Sequence, residues 1–260
     1  MKISVYLVFM ILFFMSSVVV AQNVIVAQQT ELGKIFSTEY PETFYFLRSL
    51  PKYSVVLTWI DGGKAVEEFT QLKTVTKYPS QRLVELGAFS NNYSGPIETE
   101  ETLNDISTFF TTTDEDIALS IAAKYNVKYI LVTDDIIFKQ HWMQRLVKIC
   151  DEKQVGCKYY SFVIPTDTYF EQFKAAPGEL IEFQGGYYYI PPELKDTILT
   201  KMLFKSDNLS EFKEVYSDER SKVFEIPKNP IIAYIVVSVL AAGILSGLVL
   251  VLLVLVRRKK

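Results

Sequence analysis

Asp114-Glu115-Asp116-Ile117-Ala118-Leu119-Ser120-Ile121-Ala122-Ala123-Lys124-Tyr125-Asn126, followed directly by Val127-Lys128-Tyr129-Ile130-Leu131-Val132-Thr133-Asp134-Asp135, is the stretch that decides the fold. Its first half reads as a helix. Thr113 stands where a side-chain oxygen can cap it, and three acidic residues occupy the first turn, where the positive end of the helix dipole favours them. Ile117, Leu119, Ile121 and Ala122 then supply apolar positions. The second half is a short apolar run rich in β-branched residues, a buried strand by length and composition. Beyond it a second helix is expected over 138–150, with Trp142, Leu146 and Ile149 at i, i+4 and i+7.

The same alternation extends upstream. Residues 53–59 form another short apolar, β-branched run that reaches Asp61-Gly62-Gly63, where two glycines permit a tight turn. Residues 64–72 have helical character, and 30–48 read as a helical stretch that Pro41 divides in two. Helices alternating with apolar strands predict an α/β domain with a small, mainly parallel sheet and crossover helices. Downstream the pattern changes. Residues 156–165, 179–189 and 213–226 are strand-like and separated by turns, so the second half is more β-rich. Between them 192–205 look helical, with Leu194, Ile198, Leu199 and Met202 on one face.

Both ends of the chain are apolar. Lys2 followed by the uncharged run 3–21, closing on Val19-Val20-Ala21, has the form of a secretory signal (1–21); an uncleaved signal anchor is the alternative. Residues 231–256 carry no charge and at ~1.5 Å per residue give a helix of about 39 Å, longer than the ~30 Å hydrocarbon core. A membrane helix is therefore expected over 230–256. Arg257-Arg258-Lys259-Lys260 should stay in the cytoplasm, which places 22–229 outside as a single-pass, type I protein of the cell membrane. Ser238, Ala242 and Ser246, and likewise Gly243 and Gly247, recur at four-residue spacing, a small-residue face that suits a helix partner in the membrane.

Between the two ends lie 22 basic and 30 acidic side chains, a net charge of −8. A free cytosolic enzyme is excluded, and so is nucleic-acid binding, because an acidic surface repels phosphates. Cys150 and Cys157 are the only cysteines; an even count in an oxidising compartment favours one disulfide closing a short loop, with unpaired thiols as the alternative. Asn92-Tyr93-Ser94 and Asn208-Leu209-Ser210 fit the N-glycosylation acceptor pattern. Familiar catalytic patterns are missing. His141 has no serine or cysteine partner in sequence, and Gly62-Gly63-Lys64 lacks the spacing of a phosphate-binding loop. Gly185-Gly186 reads as a hairpin turn. Asp134-Asp135 end a strand, where open α/β sheets bind ligands, and they are equally ordinary helix-start residues. Nothing calls for a metal or cofactor.

Three segments in order carry a family resemblance. Leu57-Thr58-Trp59-Ile60-Asp61-Gly62-Gly63 is similar to the Trp-Trp-Asp-Tyr-Gly signature of the soluble C-terminal domain of the oligosaccharyltransferase catalytic subunit, above all its archaeal form. Phe109-Phe110-Thr111-Thr112-Thr113-Asp114-Glu115-Asp116 through Val127–Thr133 and Asp134 resembles that family's helix and following strand. Phe212-Lys213-Glu214-Val215-Tyr216-Ser217 and Val223-Phe224-Glu225-Ile226 resemble its last strands, so the likeness covers about 50–226. In that family the signature's Trp and Asp form a pocket for the acceptor Ser or Thr hydroxyl, helped by a helix bearing Asp, Lys and Met or Ile. The resemblance assigns these roles to Trp59, Asp61, Lys139 and Met143, with Asp135 four residues before Lys139 rather than three. Ile60 replaces the second Trp and Gly62 the Tyr, which removes a rigid indole wall and a donor.

The family's catalysis belongs to a many-spanning membrane domain, which one terminal helix cannot supply. The resemblance therefore implies a non-catalytic, membrane-anchored relative that assists N-glycosylation or binds peptides or glycoproteins. Expected partners are the membrane, a transmembrane partner, and the transferase or envelope glycoproteins. A structural envelope protein that keeps the fold without the pocket is the alternative.

Overall fold

The computed structural model describes residues 38–89, 93–165, 170–183 and 185–227. The expected signal segment, the membrane helix with Gly243 and Gly247, the basic tail, Asn92 and the first part of the 30–48 helix lie outside these residues. Among the described residues no helix is long and apolar enough to cross a membrane.

The central element is β3 (Val127–Thr133), the strand read first in the sequence. Strand β1 (Val55–Leu57) pairs with it in parallel, and β2 (Lys73–Thr74) pairs in parallel with β1. On its other side β3 pairs antiparallel with β8 (Ser221–Glu225), which forms a hairpin with β7 (Lys213–Ser217). The sheet order is β2-β1-β3-β8-β7. It is thus a mixed α/β sheet, parallel on one side of β3 only. The C-terminal hairpin enters beside β3 and supplies the antiparallel half: its tight turn reverses the chain between β7 and β8, and β8 also runs antiparallel to β3. A second, antiparallel sheet of order β4-β6-β5 comprises β4 (Ser161–Val163), β5 (Glu179–Phe183) and β6 (Gly186–Ile190). This is the β-rich second half, and Gly185 makes the β5–β6 turn at φ 72°.

Side chains of β3 alternate between two cores, as the two-residue period of a strand requires. Ile130 and Val132 face one side, where they pack with α4 (Glu100–Thr111), α5 (Glu115–Lys124) and α8 (Ile198–Phe204). Tyr129 and Leu131 face the other, against Phe44 and Leu47 of α1 (Pro41–Ser49) and Ala65 and Val66 of α2 (Ile60–Phe69). Helices on both faces bury β3 except at Lys128, which is half-buried. Phe109 and Phe110 of α4 are fully buried, each stabilising the fold by about 2–3 kcal/mol.

Several boundaries differ from the sequence reading. Asp114, not Thr113, caps α5: its Oδ1 accepts from the N–H groups of Asp116 at 2.9 Å and Ile117 at 3.3 Å, and a charged acceptor outcompetes a hydroxyl there. Helix α2 begins at Ile60, so Gly62 and Gly63 lie in its buried first turn and not in a tight turn. A Cβ on Gly63 would sit 1.9 Å from the Thr76 carbonyl oxygen, a close approach that only glycine allows. The expected 138–150 helix is shortened. A 3-10 turn spans Asp134–Lys139 and α6 only Gln140–Leu146, which leaves Ile149 54% exposed rather than on a core face. Only Ser161–Val163 of the 156–165 run pairs as a strand; 156 and 157 belong to the disulfide loop, and both backbone groups of Lys158 are bound by Gln144. In 192–205 the helix proper starts at Ile198, capped by Thr197, although all four named apolar residues are buried. Helices α3 (Gln81–Glu85), α4 and α7 (Phe170–Ala175) were not read from the sequence.

Candidate functional site

Strands β1 and β3 run in parallel, so their carboxyl ends reach the same edge of the sheet. Beyond β1 the chain turns through Thr58 and Trp59 into α2, placing Asp61 in the first helical turn. Beyond β3 it turns through Asp134 and Asp135 into the 3-10 segment that ends at Lys139. These two turns bring Asp61 and Lys139 together: Lys139 Nζ lies 3.0 Å from Asp61 Oδ2, both side chains part-exposed.

Asp135 stands behind this pair. Burial pushes its carboxyl up, and the nearby Asp61 and Asp134 charges act in the same direction; Thr133, donating its hydroxyl at 2.5 Å, and Lys139 partly oppose them. For Lys139, burial works to lower the ammonium pKa, but Asp61 and then Asp135 more than offset it and hold the group up, firmly charged. Asp134 faces a separate set of partners. Tyr40 donates its hydroxyl to Asp134 Oδ1 at 2.5 Å and approaches Asp135 at 3.5 Å. Arg220, from the β7–β8 turn, donates Nε to Asp134 Oδ2 at 2.9 Å and lays its guanidinium 4.7 Å from the centre of the Tyr40 ring. Burial, then the Asp135 and Asp134 charges, drive the Tyr40 phenol far above its usual pKa, so it stays a donor.

The four residues singled out by the sequence resemblance therefore divide. Asp61 and Lys139 meet at the edge. Trp59 is 5% exposed and Met143 fully buried, and both belong to the core beneath that edge. Phe138, which precedes Lys139 in the chain, is 68% exposed. Tyr40 and Arg220 were missed. Their contacts with Asp134 cross 94 and 86 residues, a separation without any local pattern.

Chemically, the edge offers a charged carboxylate–ammonium pair that can exchange partners with a ligand's hydroxyl, amide or carboxylate. The His141 ring lies 4.4 Å from Trp142 and 6.0 Å from Tyr159, tilted to both, and burial lowers its pKa. Among the described residues no group of three or more His, Cys, Asp or Glu side chains is placed to hold a metal ion. Cys150 and Cys157 form a disulfide, with Cα atoms 4.9 Å apart. Arg145 donates Nη2 to the Glu152 carbonyl at 2.5 Å within the closed loop, and Gln144 binds both backbone groups of Lys158 just after it. Asn208 is exposed in the turn Ser206–Asn208.

The structure resembles the C-terminal globular domain of oligosaccharyltransferase. The domain from Archaeoglobus fulgidus is 14% identical, with 72% of this chain and 95% of that chain covered at a TM-score of 0.45. The C. jejuni PglB C-terminal domain is 10% identical over 71% of this chain and 98% of that one, also at 0.45. The A. fulgidus oligosaccharyltransferase tethered with an acceptor peptide containing the NVT sequon is 21% identical at a TM-score of 0.39, with 65% of this chain and 19% of that chain covered. No family model and no curated protein matches the sequence.

Proposed function

We propose that this chain is a membrane-anchored, non-catalytic relative of the oligosaccharyltransferase soluble domain, facing outward and binding peptides or glycoproteins as an accessory to N-glycosylation. One observation supports it above the others. Asp61 and Lys139, 78 positions apart and matched on sequence to the family's hydroxyl-binding motif and its neighbouring helix, meet at 3.0 Å at the carboxyl edge of β1 and β3. Edges of this kind are where open α/β sheets hold ligands. The part-exposed Asp61 carboxylate can accept a hydrogen bond from a Ser or Thr hydroxyl once Lys139 swings aside.

The test is titration of the full-length chain, held in nanodiscs, with an Asn-X-Thr peptide. Saturable binding that weakens ~10-fold or more in Asp61→Ala supports the reading, since losing one charged partner of a hydroxyl forfeits about 1.5–3 kcal/mol. Affinity purification from gently extracted membranes addresses the accessory role: recovery of the chain alone, without transferase or envelope glycoprotein, counts against it. The burial of Trp59 and Met143 favours a second reading, a structural envelope protein that retains the fold. Peptide titration that gives no saturable signal in either the parent chain or the variant supports that alternative.

A further inference from the structure

The acidic average charge of the chain conceals a separation along the strand axis. At the carboxyl edge of β1 and β3 stand Asp61, Asp134 and Asp135, joined by Asp218 from the β7–β8 turn. The opposite edge carries a row of basic side chains, with Glu225 and Glu68 among them. Strand register places Lys73 beside Val55, Val55 beside Val127, and Lys213 beside Glu225. Lys52 and Tyr53 precede β1, and Lys128 is the second residue of β3. Arg48 lies in the last turn of α1, which ends at this same edge.

Among the described residues Arg48, Lys52, Lys73, Lys128 and Lys213 make no ion pair with a carboxylate, whereas Lys139 and Arg220 at the opposite edge are both paired. Lys52, Lys73 and Lys213 are exposed, and Tyr53 is 70% exposed at φ 63°. Between the ends of α1 and α2 the edge also holds a cavity of about 300 Å³, with Arg48, Lys52 and Glu68 over Leu50, Phe69 and Leu72. Glu68 is already paired with Lys64 at 3.4 Å.

The described chain also leaves the sheet at this edge. Strand β8 ends at Glu225, and the Ile226 N–H donates to the Lys128 carbonyl at 3.0 Å, so the described chain leaves the sheet within the basic row. Only residues 227–230 separate it from the uncharged run 231–256, a reach of at most about 17 Å. The acidic edge lies a strand length away, about 20 Å for the seven residues of β3.

We propose that the basic edge is a lipid-facing surface. Lys52, Lys73, Lys128 and Lys213, with Arg48 and Tyr53, rest on the anionic headgroups of the membrane that holds 231–256. Because the domain faces outward, the headgroups concerned are those of the outer leaflet; lysines gain from anionic headgroups within a Debye length, and a tyrosine suits the interface through its apolar ring and polar tip. Docking this edge turns the Asp61–Lys139 edge toward solvent, where a partner can reach it. The inference rests on the anchored part of the proposed function and not on peptide binding.

Hydrogen–deuterium exchange on the full-length chain tests it, in nanodiscs of phosphatidylcholine alone and with phosphatidylglycerol added. Anionic lipid should slow exchange about tenfold in 48–54 and 211–214, while the 217–221 turn at the opposite edge stays unchanged as an internal reference. High salt should abolish the slowing, and so should the triple variant Lys52→Gln, Lys73→Gln, Lys213→Gln. Equal exchange in both lipids, in a chain that stays embedded, overturns this inference alone. Release of the chain from vesicles by alkaline carbonate overturns the anchored reading and this inference together.

Discussion

Replacing Gly63 by alanine tests how the first turn of α2 is held. The added Cβ would lie 1.9 Å from the Thr76 carbonyl oxygen and 3.0 Å from its carbon, both backbone atoms that cannot rotate away. Helix and loop must part by more than about 1 Å to restore an ordinary contact. Such overpacking costs about 3 kcal/mol, at the upper end of its usual range, because backbone rather than a flexible side chain must yield. Alanine returns ~1 kcal/mol through its better helix propensity. The net loss is about 2 kcal/mol, equivalent to roughly 4–8 °C in Tm for a domain of this size. Thermal unfolding of the full-length chain followed by near-ultraviolet circular dichroism reads it directly. The same displacement moves Asp61, two residues earlier, away from Lys139, so peptide binding should weaken alongside. A variant that melts with the parent, or above it, would refute the claim that Gly63 fixes the site through this close approach.

Three further outcomes follow from the geometry. Burial raises the Asp135 pKa, so the folded state keeps a proton that the unfolded chain has already released. Stability from this group is complete below the ordinary carboxylate pKa and is lost as pH rises through the raised value. Asp135→Asn should therefore match the parent in urea unfolding near pH 3 and exceed it at pH 7; a constant difference across that range would exclude Asp135 as the cause. Cys150→Ala with Cys157→Ala opens a loop of sequence separation 7 and should lower unfolding stability by about 2 kcal/mol, an expectation that fails if reductant leaves the parent's urea midpoint unchanged. Asn208 is exposed, and expression through a glycosylating secretory pathway should add a glycan that Asn208→Gln removes, read by intact mass. An intact mass that the substitution alters only by the residue change would dismiss the site.

What the sequence conveys depends on how local each determinant is. Strand β3 and helix α5 are legible because an apolar, β-branched run and an acidic first turn act within a few residues. The start of α2 is not. Two glycines oppose a helix by propensity, and the tertiary approach to Thr76 explains Gly63. Helix α4 carries a readable signal in Thr99, which caps it, and in Leu103, Ile106, Phe109 and Phe110 on its buried side; it escaped because its neighbours are loops without strand character. Asp61 and Lys139 could be proposed as a pair from the family resemblance alone. The Tyr40–Asp134–Arg220 cluster, assembled from α1's cap, the end of β3 and a hairpin turn, left no trace in local spacing.

The position of β8 has a mechanical consequence. It is the last strand before Pro227, yet it lies inside the sheet, hydrogen-bonded to β3 on one side and β7 on the other. Tension on Ile226 along the strand axis pulls β8 lengthwise, so the rungs of both ladders share the load and must rupture together rather than unzip one at a time. A terminal strand on the rim, pulled the same way, would have one ladder instead of two to resist it. The topology makes this exit point a strong attachment for any load applied through Pro227.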